Sequence, residues 1–510
     1  MATDTQTTSK RIARNTLILY MRMLLMLVIG LFTSRVVLQT LGVDDYGIYN
    51  AVGGFVSLFS LLSTALTNAI NRFLAYELGK GGGERLNCVF STSVNVMTML
   101  ALVALLLGAT LGVWFLNTRM NIPDGRMNAA NWVLACSVMT FAMNLLAVPY
   151  NSAIVAHEKM SAFAYISLVE AALKLLIVYA LYLSPFDKLK VYAVLFFLLA
   201  LLVRILYGVY CRRHFPECHY HRVHDYKLLK QMTSFAGWDF IAGGAAIINN
   251  AGVNVLINLF FGVSVNAARG IAVQVNGHVN QFVTNFMMAV NPQITKSYAQ
   301  GDIPYLHDLV CRGAKFSAFL MLLFLIPISL EAHQLLTLWL GVVPPYAVPF
   351  VQFTLLVTTL NTLSNSLTIA LHATGDIRRF MIIVGSVEIT MFPLTWIAFL
   401  LGASPLWAYY IYAAVYLILT FLRMVLTKDH IDLSARTFAR RVYMRVLIVS
   451  VTALPIPMIL RFAMSESVLR FFIVCPVSLL CTATCIYYLG LDKTERGIVV
   501  KLLKKRLHIG

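Results

Sequence analysis

Charge is scarce in this sequence, and acidic charge scarcest. Only 12% of the 510 residues are Asp, Glu, Lys or Arg, where a soluble domain would carry roughly 25%. No polar stretch is long enough to fold as a soluble domain, which excludes an ordinary soluble enzyme. The eight cysteines do not form a disulfide framework: most fall in apolar runs or inner loops and none in an expected outer loop. The opening "MATDTQTTSKRIARN" has no short apolar core followed by small residues, so it reads as a retained tail with the first span as signal anchor. "GKGGGE" at 79–84 lacks the G-x-x-x-x-G-K-[ST] order that cradles phosphates. H-E-x-x-H and G-x-S-x-G are absent, so neither a zinc-protease nor a serine-hydrolase reading has a motif behind it. No cofactor is implied.

Apolar residues fill the space. They make up 59% of the chain, in runs long enough to cross a hydrocarbon core of roughly 30 Å. The expected fold is all-α and polytopic, with about fourteen spans: 16–40, 47–77, 88–116, 129–155, 161–183, 190–210, 236–260, 267–292, 313–333, 348–372, 380–401, 406–427, 443–461 and 469–490. Loops assigned to one side hold 27 of the 40 Lys and Arg; those on the other hold six, Arg119, Arg126, Lys188, Lys190, Arg461 and Arg470. The positive-inside rule then puts both termini in the cytoplasm. The formal charge of +18 reflects orientation and anionic lipid headgroups. Nucleic acid is a poor partner, because the basic residues are scattered over eight inner segments.

The chain repeats itself. At an offset of 220, "LGVDDYGIYNAV" falls on "FGVSVNAARGIA", with Gly42 on Gly262, Asn71 on Asn291 and Gly81 on Gly301. At nearby offsets Asn144 meets Asn361, Ala153 meets Ala370, Glu170 meets Glu388 and Arg204 meets Arg423. Spans 1–6 therefore look like a copy of spans 7–12. Six is even, so the copies share an orientation and should be related by a pseudo-two-fold axis along the membrane normal, with spans 13 and 14 appended.

The acidic pair Asp44 and Asp45, just outside span 1, invites a glycosyltransferase reading. The second copy has Ser264 and Val265 there, so the architecture does not require the acids. Asp45 is placed to cap the start of span 2.

Three spans carry polar stripes at helical spacing: Asn50, Ser57, Thr64, Asn68 and Asn71 in span 2; Asp239, Asn250, Asn254 and Asn258 in span 7; Gln274, His278, Gln281 and Asn285 in span 8. Interhelical hydrogen bonds would explain one such stripe. Three favour a polar cavity between the copies, lined by Asn68, Asn250, Asn254, Gln274, His278 and Gln281. Of the charges within spans, Arg22 and Arg269 are candidates for holding an anion, since Arg presents a planar fork to phosphate oxygens; structural ion pairing is the alternative. Glu170 and Lys174, four apart, should pair, and Arg204 and Arg423 recur in both copies, which suggests structural charges. Asp239 and Glu388 are the acids that could couple transport to protons or sodium. Pro149 and Pro292, near the inner ends of spans 4 and 8, could kink a cytoplasmic gate or simply bend their helices. The loop "CRRHFPECHYHRVHDY" at 211–226 is dense in Cys and His, but its spacing fits no standard metal site.

"RNTLILYMRMLLMLVIGLFTSRVVLQTLGVDDYGIYNAVGG" resembles the opening of Wzx-type polysaccharide flippases, of the multidrug/oligosaccharidyl-lipid/polysaccharide exporter superfamily, and "AVNPQITKSYAQGD" at 289–302 resembles the end of span 8 in the same proteins. The loop between spans 2 and 3 lacks the Gly…Asp-Arg…Gly-Arg-Arg pattern of major facilitator transporters. The resemblance implies a MATE-like, V-shaped, alternating-access transporter rather than an enzyme: a cytoplasmic tail at 1–15, an N-lobe at 16–210, a basic linker at 211–235, a C-lobe at 236–427, spans 13 and 14 within 428–490, and a basic tail at 491–510. It implies a substrate of undecaprenyl-diphosphate-linked oligosaccharide, crossing the bacterial inner membrane for O-antigen or capsule assembly. Cavity arginines, here Arg22 and Arg269, would hold the diphosphate, and glycosyltransferases and polymerase of the same pathway would be partners. A drug/cation antiporter of the related multidrug branch is the alternative, using Asp239 and Glu388. A membrane glycosyltransferase or polymerase, using Asp44 and Asp45, comes third.

Overall fold

The computed structural model describes residues 2–41, 45, 48–49, 52–53, 56, 60–119, 122, 125–222 and 225–497, with some helical side chains in these ranges outside the description. Asp44, Asn50, Ser57, His224 and the segment 498–510 lie outside the described residues, as do the side chains of Arg35 and Ser264.

The described residues are helical or in connecting turns, with no strand among them. Among the described residues ten helices are long and apolar enough to cross a membrane, including Met127–Ala156, Met160–Leu183, Lys188–His214, Ile303–Leu330, Ala347–Thr374 and Trp407–Ile431. These ten fall on the expected spans 3–6 and 9–14. Span 1 lies within the helix Ala2–Leu41, part of span 2 in Ser60–Gly79, and spans 7 and 8 in Tyr226–Ala299. The chain is a multi-pass helical membrane protein.

Chain contacts divide it into two compact units, Arg11–Phe240 and the remainder. In the first, Met127–Ala156 packs against Glu84–Leu107 and Lys188–His214, around buried Val133, Leu134, Val138, Leu189 and Ala193. In the second, Ala347–Thr374 packs against Ile303–Leu330 and Trp407–Ile431, around Met321, Phe350, Val351, Leu355 and Tyr409. Hydroxyls inside these helices bond back to the carbonyl four residues earlier, as Ser93 does to Val89 (2.7 Å) and Thr395 to Met391 (2.7 Å). This lets Ser and Thr sit in an apolar medium without a stranded donor.

Spans 7 and 8 were expected as two helices separated by a corner of several residues. They are two helices, within Tyr226–Ala299, and they meet at one non-helical residue, Gly262, at φ 80° and ψ −177°. That backbone region is essentially closed to residues with a Cβ, so a single glycine makes the corner. Span 11, Arg378–Leu400, carries a local break in its hydrogen bonding at Thr390, whose backbone stays helical (φ −64°, ψ −21°). Pro393 explains the position: its ring clashes with the carbonyl four residues back, that of Ile389, and it has no N–H to offer. Asn249 bridges the break, donating to the Glu388 carbonyl (2.6 Å) and accepting from the Phe392 N–H (3.1 Å). Pro149 and Pro292 are buried within helices that continue through them.

Candidate functional site

In the second unit, two buried arginines organise the polar interior. Arg423 donates to Glu388 Oε1 (3.0 Å), Asn361 Oδ1 (2.7 Å) and Ser364 Oγ (3.2 Å). Arg423 and Glu388 are 8% and 7% exposed, so this is a desolvated pair whose hydrogen bonds offset the cost of burial. Arg269, 5% exposed, donates to the side chain and the carbonyl of Asn250 (2.7 and 3.1 Å). These two residues sit on either side of the Gly262 corner. A cavity of about 260 Å³ opens beside them, lined by Asn250, Arg269, Asn276, Asn361, Tyr409 and Tyr412 among others. The buried Oδ1 of Asn276 has no protein partner there, and the Tyr409 and Tyr412 hydroxyls lie within electrostatic reach of Arg269. An anionic or hydroxyl-bearing group could take up these donors and acceptors.

In the first unit Arg22 and Arg204 are less occupied. Arg22 lies over the Phe163 ring, 4.2 Å from its centroid, and its buried Nε has no hydrogen-bond partner. Glu170 and Tyr207 are within electrostatic reach of it. Glu170 accepts from Lys174 (2.7 Å). Arg204 covers the Tyr150 ring at 4.1 Å, its Nε also unpartnered. Asn68 donates to Asp239 (2.9 Å).

Of the residues singled out in the sequence, the structure therefore brings together Arg269 with Asn250, Arg423 with Glu388, Glu170 with Lys174, and Asn68 with Asp239. Asn254, Gln274, His278 and Gln281 are exposed and make no hydrogen bond among the described residues. Asp45 receives both Nε (2.8 Å) and Nη2 of Arg126, which also reaches Asp187 (3.1 Å), while much of the start of span 2 that it was expected to cap lies outside the described residues. The Arg126 fork satisfies both oxygens of Asp45 at once, which makes Asp45 a structural anchor, and Asp187 caps its own helix through the Leu189 N–H (3.1 Å).

The Cys- and His-rich segment is docked on helix ends. Asn87 donates to the carbonyls of Glu217 (2.8 Å) and His219 (2.7 Å), and Cys211 bonds the Tyr150 carbonyl (3.3 Å). His157 stacks on Phe215 and bonds Glu217. Burial pushes the Glu217 carboxyl up, but the His157 hydrogen bond, a backbone hydrogen bond and the His157 charge together outweigh it, leaving it below its ordinary range. Among the described residues no group of three His, Cys, Asp or Glu is placed to hold a metal ion.

Two elements escaped the sequence reading. Asn249, 2% exposed, gave no signal because only the break at Thr390 gives it work. The tyrosines did give one: Tyr409, Tyr412 and Tyr416 are spaced three and four apart and share a helical face that lines the cavity.

No family model matches the sequence. An uncharacterized membrane protein, EpsK, of Bacillus subtilis is 20% identical over 327 residues, which is 62% of this chain and 63% of EpsK. The chain thus spans less than two thirds of that relative. Among solved structures, a MATE protein in its bent conformation superposes with a TM-score of 0.71 at 12% identity, covering 85% of this chain and 97% of that one. The outward-facing conformation of a multidrug resistance MATE family transporter of the MOP superfamily gives 0.69 at 13% identity, covering 83% and 96%. The chain has the MATE transporter fold.

Proposed function

We propose that this protein is a secondary transporter that moves a diphosphate-linked, lipid-anchored oligosaccharide across the bacterial inner membrane by alternating access, without enzymatic chemistry. Its multi-pass architecture and MATE fold support transport in general. The observation that carries the anionic substrate is Arg22: a partly buried guanidinium, resting on Phe163, with an Nε that has no hydrogen-bond partner among the described residues. Such a donor is costly to leave unmet in a low-dielectric interior, and a phosphate oxygen would meet it. Arg269, beside the unpartnered Asn276 oxygen in the second unit, supplies a further cation, with Asn250 orienting it. Glycan hydroxyls would find Asn68, Asn254, Gln274, His278 and Gln281, which are exposed and polar on apolar helices. Pro149 and Pro292 would serve as flexure points, both termini would be cytoplasmic, and the glycosyltransferases and polymerase that make and use such a substrate would be the natural partners.

A multidrug antiporter, the activity named for one structural neighbour, is the second reading, and would use unpaired acids to bind cations. Here Glu388 is held by Arg423 and Glu170 by Lys174, while Asp239 accepts from Asn68. All three acids are thus engaged, and Asp239 and Glu388 remain the ones proposed for proton or sodium coupling in either reading.

The test is a strain lacking the protein, in which lipid-linked oligosaccharide is probed with an externally added glycosidase. Intact units shielded on the cytoplasmic face are expected. Units reaching the outer face at the normal rate would overturn the proposal. Complementation with Arg22→Ala should restore the protein to the membrane but cut export at least tenfold; full export by Arg22→Ala with Arg269→Ala would remove both from the mechanism.

A further inference from the structure

A strongly basic cavity, remote from Arg22 and Arg269 in the sequence, lies between the appended helices and the start of span 9. It measures about 1010 Å³ and lies where Ile303–Leu330 begins, where the helical segment Ala435–Ala463 begins and where Val468–Gly490 ends. Six cations line it, Arg312, Arg440, Arg441, Arg445, Lys493 and Arg496, against two carboxylates, Asp308 and Asp492.

The site is built rather than incidental. A five-residue π-helical turn, Ala439–Tyr443, carries Arg440 and Arg441, and a second, Ile486–Gly490, forms the facing wall. Such wide turns concentrate at functional positions. The segment bearing Lys493 and Arg496 is anchored by Glu495, which is 3% exposed and accepts from buried Lys315 at 2.7 and 2.9 Å. Arg445 donates to the Gly490 carbonyl (3.3 Å) and pairs with Asp492 (2.5 Å). Arg496 bonds the carbonyls of Tyr488 and Leu491. Arg312 pairs with Asp308 (3.0 Å). After these internal pairings Arg440 and Lys493, both exposed, have no anionic partner among the described residues. The rim is apolar: Met444, Ile448 and Leu489 line the same cavity and are 52%, 43% and 45% exposed.

We infer that this cavity binds the phosphate headgroup of an anionic phospholipid, with Arg440 and Lys493 as its principal contacts and Met444, Ile448 and Leu489 against the acyl chains. Free phosphate would be drawn by the same cations, but an exposed apolar rim on membrane-spanning helices adds nothing for a soluble anion and favours an amphiphile. Basic pockets between membrane helices at the headgroup level are suited to such lipids. The volume has room for a headgroup with two phosphates. The inference is independent of what the protein transports.

The test uses the full-length protein in neutral detergent, titrated with diphosphatidylglycerol, phosphatidylglycerol, phosphatidylcholine and inorganic diphosphate, with bound ligand read by native mass spectrometry. The wild type should bind the two anionic lipids and not phosphatidylcholine. Arg440→Glu with Lys493→Glu should weaken that binding on the order of tenfold or more, since each basic residue near the surface contributes several-fold. Arg440→Gln with Lys493→Gln should weaken it in the same direction, and it serves if the reversal variant folds poorly. Arg212→Glu with Arg213→Glu, an equal change of charge elsewhere, should leave it within about twofold. Equal loss in that control, no loss in either cavity variant, or inorganic diphosphate binding as tightly as the lipids would overturn the assignment.

Discussion

The two copies of the repeat hold the same three residue types and use them differently. In the second, Asn361, Glu388 and Arg423 meet in one hydrogen-bonded cluster. In the first, their counterparts do not: Glu170 is taken by Lys174, Arg204 lies on Tyr150, and Asn144 is exposed without a hydrogen bond among the described residues. At the offset that pairs Glu170 with Glu388, Lys174 falls on Phe392, and at the offset of the opening segment Arg22 falls on Ala242. One lysine and one arginine thus separate a closed ionic cluster from an open one. The closed cluster is a strut. Arg22 and Arg423 both keep an unpartnered buried Nε, but Arg22 makes no side-chain hydrogen bond among the described residues, and that is the property a phosphate site needs.

The largest expected effect follows from breaking the closed cluster. Arg423→Ala leaves Glu388 buried without its counter-charge and should destabilise the protein by about 3–5 kcal/mol, read as a large fall in melting temperature in detergent. Glu388→Gln should cost less, because an amide can still accept from Arg423. If Arg423→Ala melts like the wild type, the cluster is not a strut.

Arg204→Ala is the matched experiment in the open copy. It removes a cation over an aromatic ring and no ion pair, so the expected loss is about 1 kcal/mol, well below that of Arg423→Ala. Equal losses from the two would mean that the copies are energetically alike and that their differing contacts carry no weight.

The contrast shows what sequence could and could not deliver. The all-helical, multi-pass architecture was legible because runs of apolar residues at this length have few other solutions. The repeat pairs Glu170 with Glu388 and Arg204 with Arg423 were legible because charge within spans is rare. What no pairing revealed was that Asn361, Glu388 and Arg423 converge on one point, since that depends on how three helices pack. It likewise hid the Asp45–Arg126–Asp187 link, whose members lie 81 and 61 residues apart. The corner at 261–266 was visible as an interruption, but its reduction to Gly262 alone is a backbone matter that composition does not encode. The cavity tyrosines were within reach of spacing analysis; Asn249 was not.

The smallest effect on stability, and the sharpest on the comparison, belongs to Lys174. Its side chain and that of Glu170 are 30% and 28% exposed, and an i,i+4 pair of this kind contributes only about 0.2–0.5 kcal/mol to a helix. Lys174→Ala should therefore melt within about 1 kcal/mol of the wild type, the more so because Arg22 is near enough to compensate Glu170 electrostatically. That compensation is the point. Once Lys174 is gone, the Glu170 carboxylate still has Arg22 within electrostatic reach, and an Arg22 committed to Glu170 has less to offer a diphosphate. Export should fall several-fold although the fold is intact. Adding Glu170→Gln removes the competitor and should return export toward the wild-type rate. Rescue by the double variant would identify Lys174 as the residue that keeps Arg22 free; a single variant that exports normally would mean that Glu170 and Arg22 do not compete, and that the openness of the first copy has another origin.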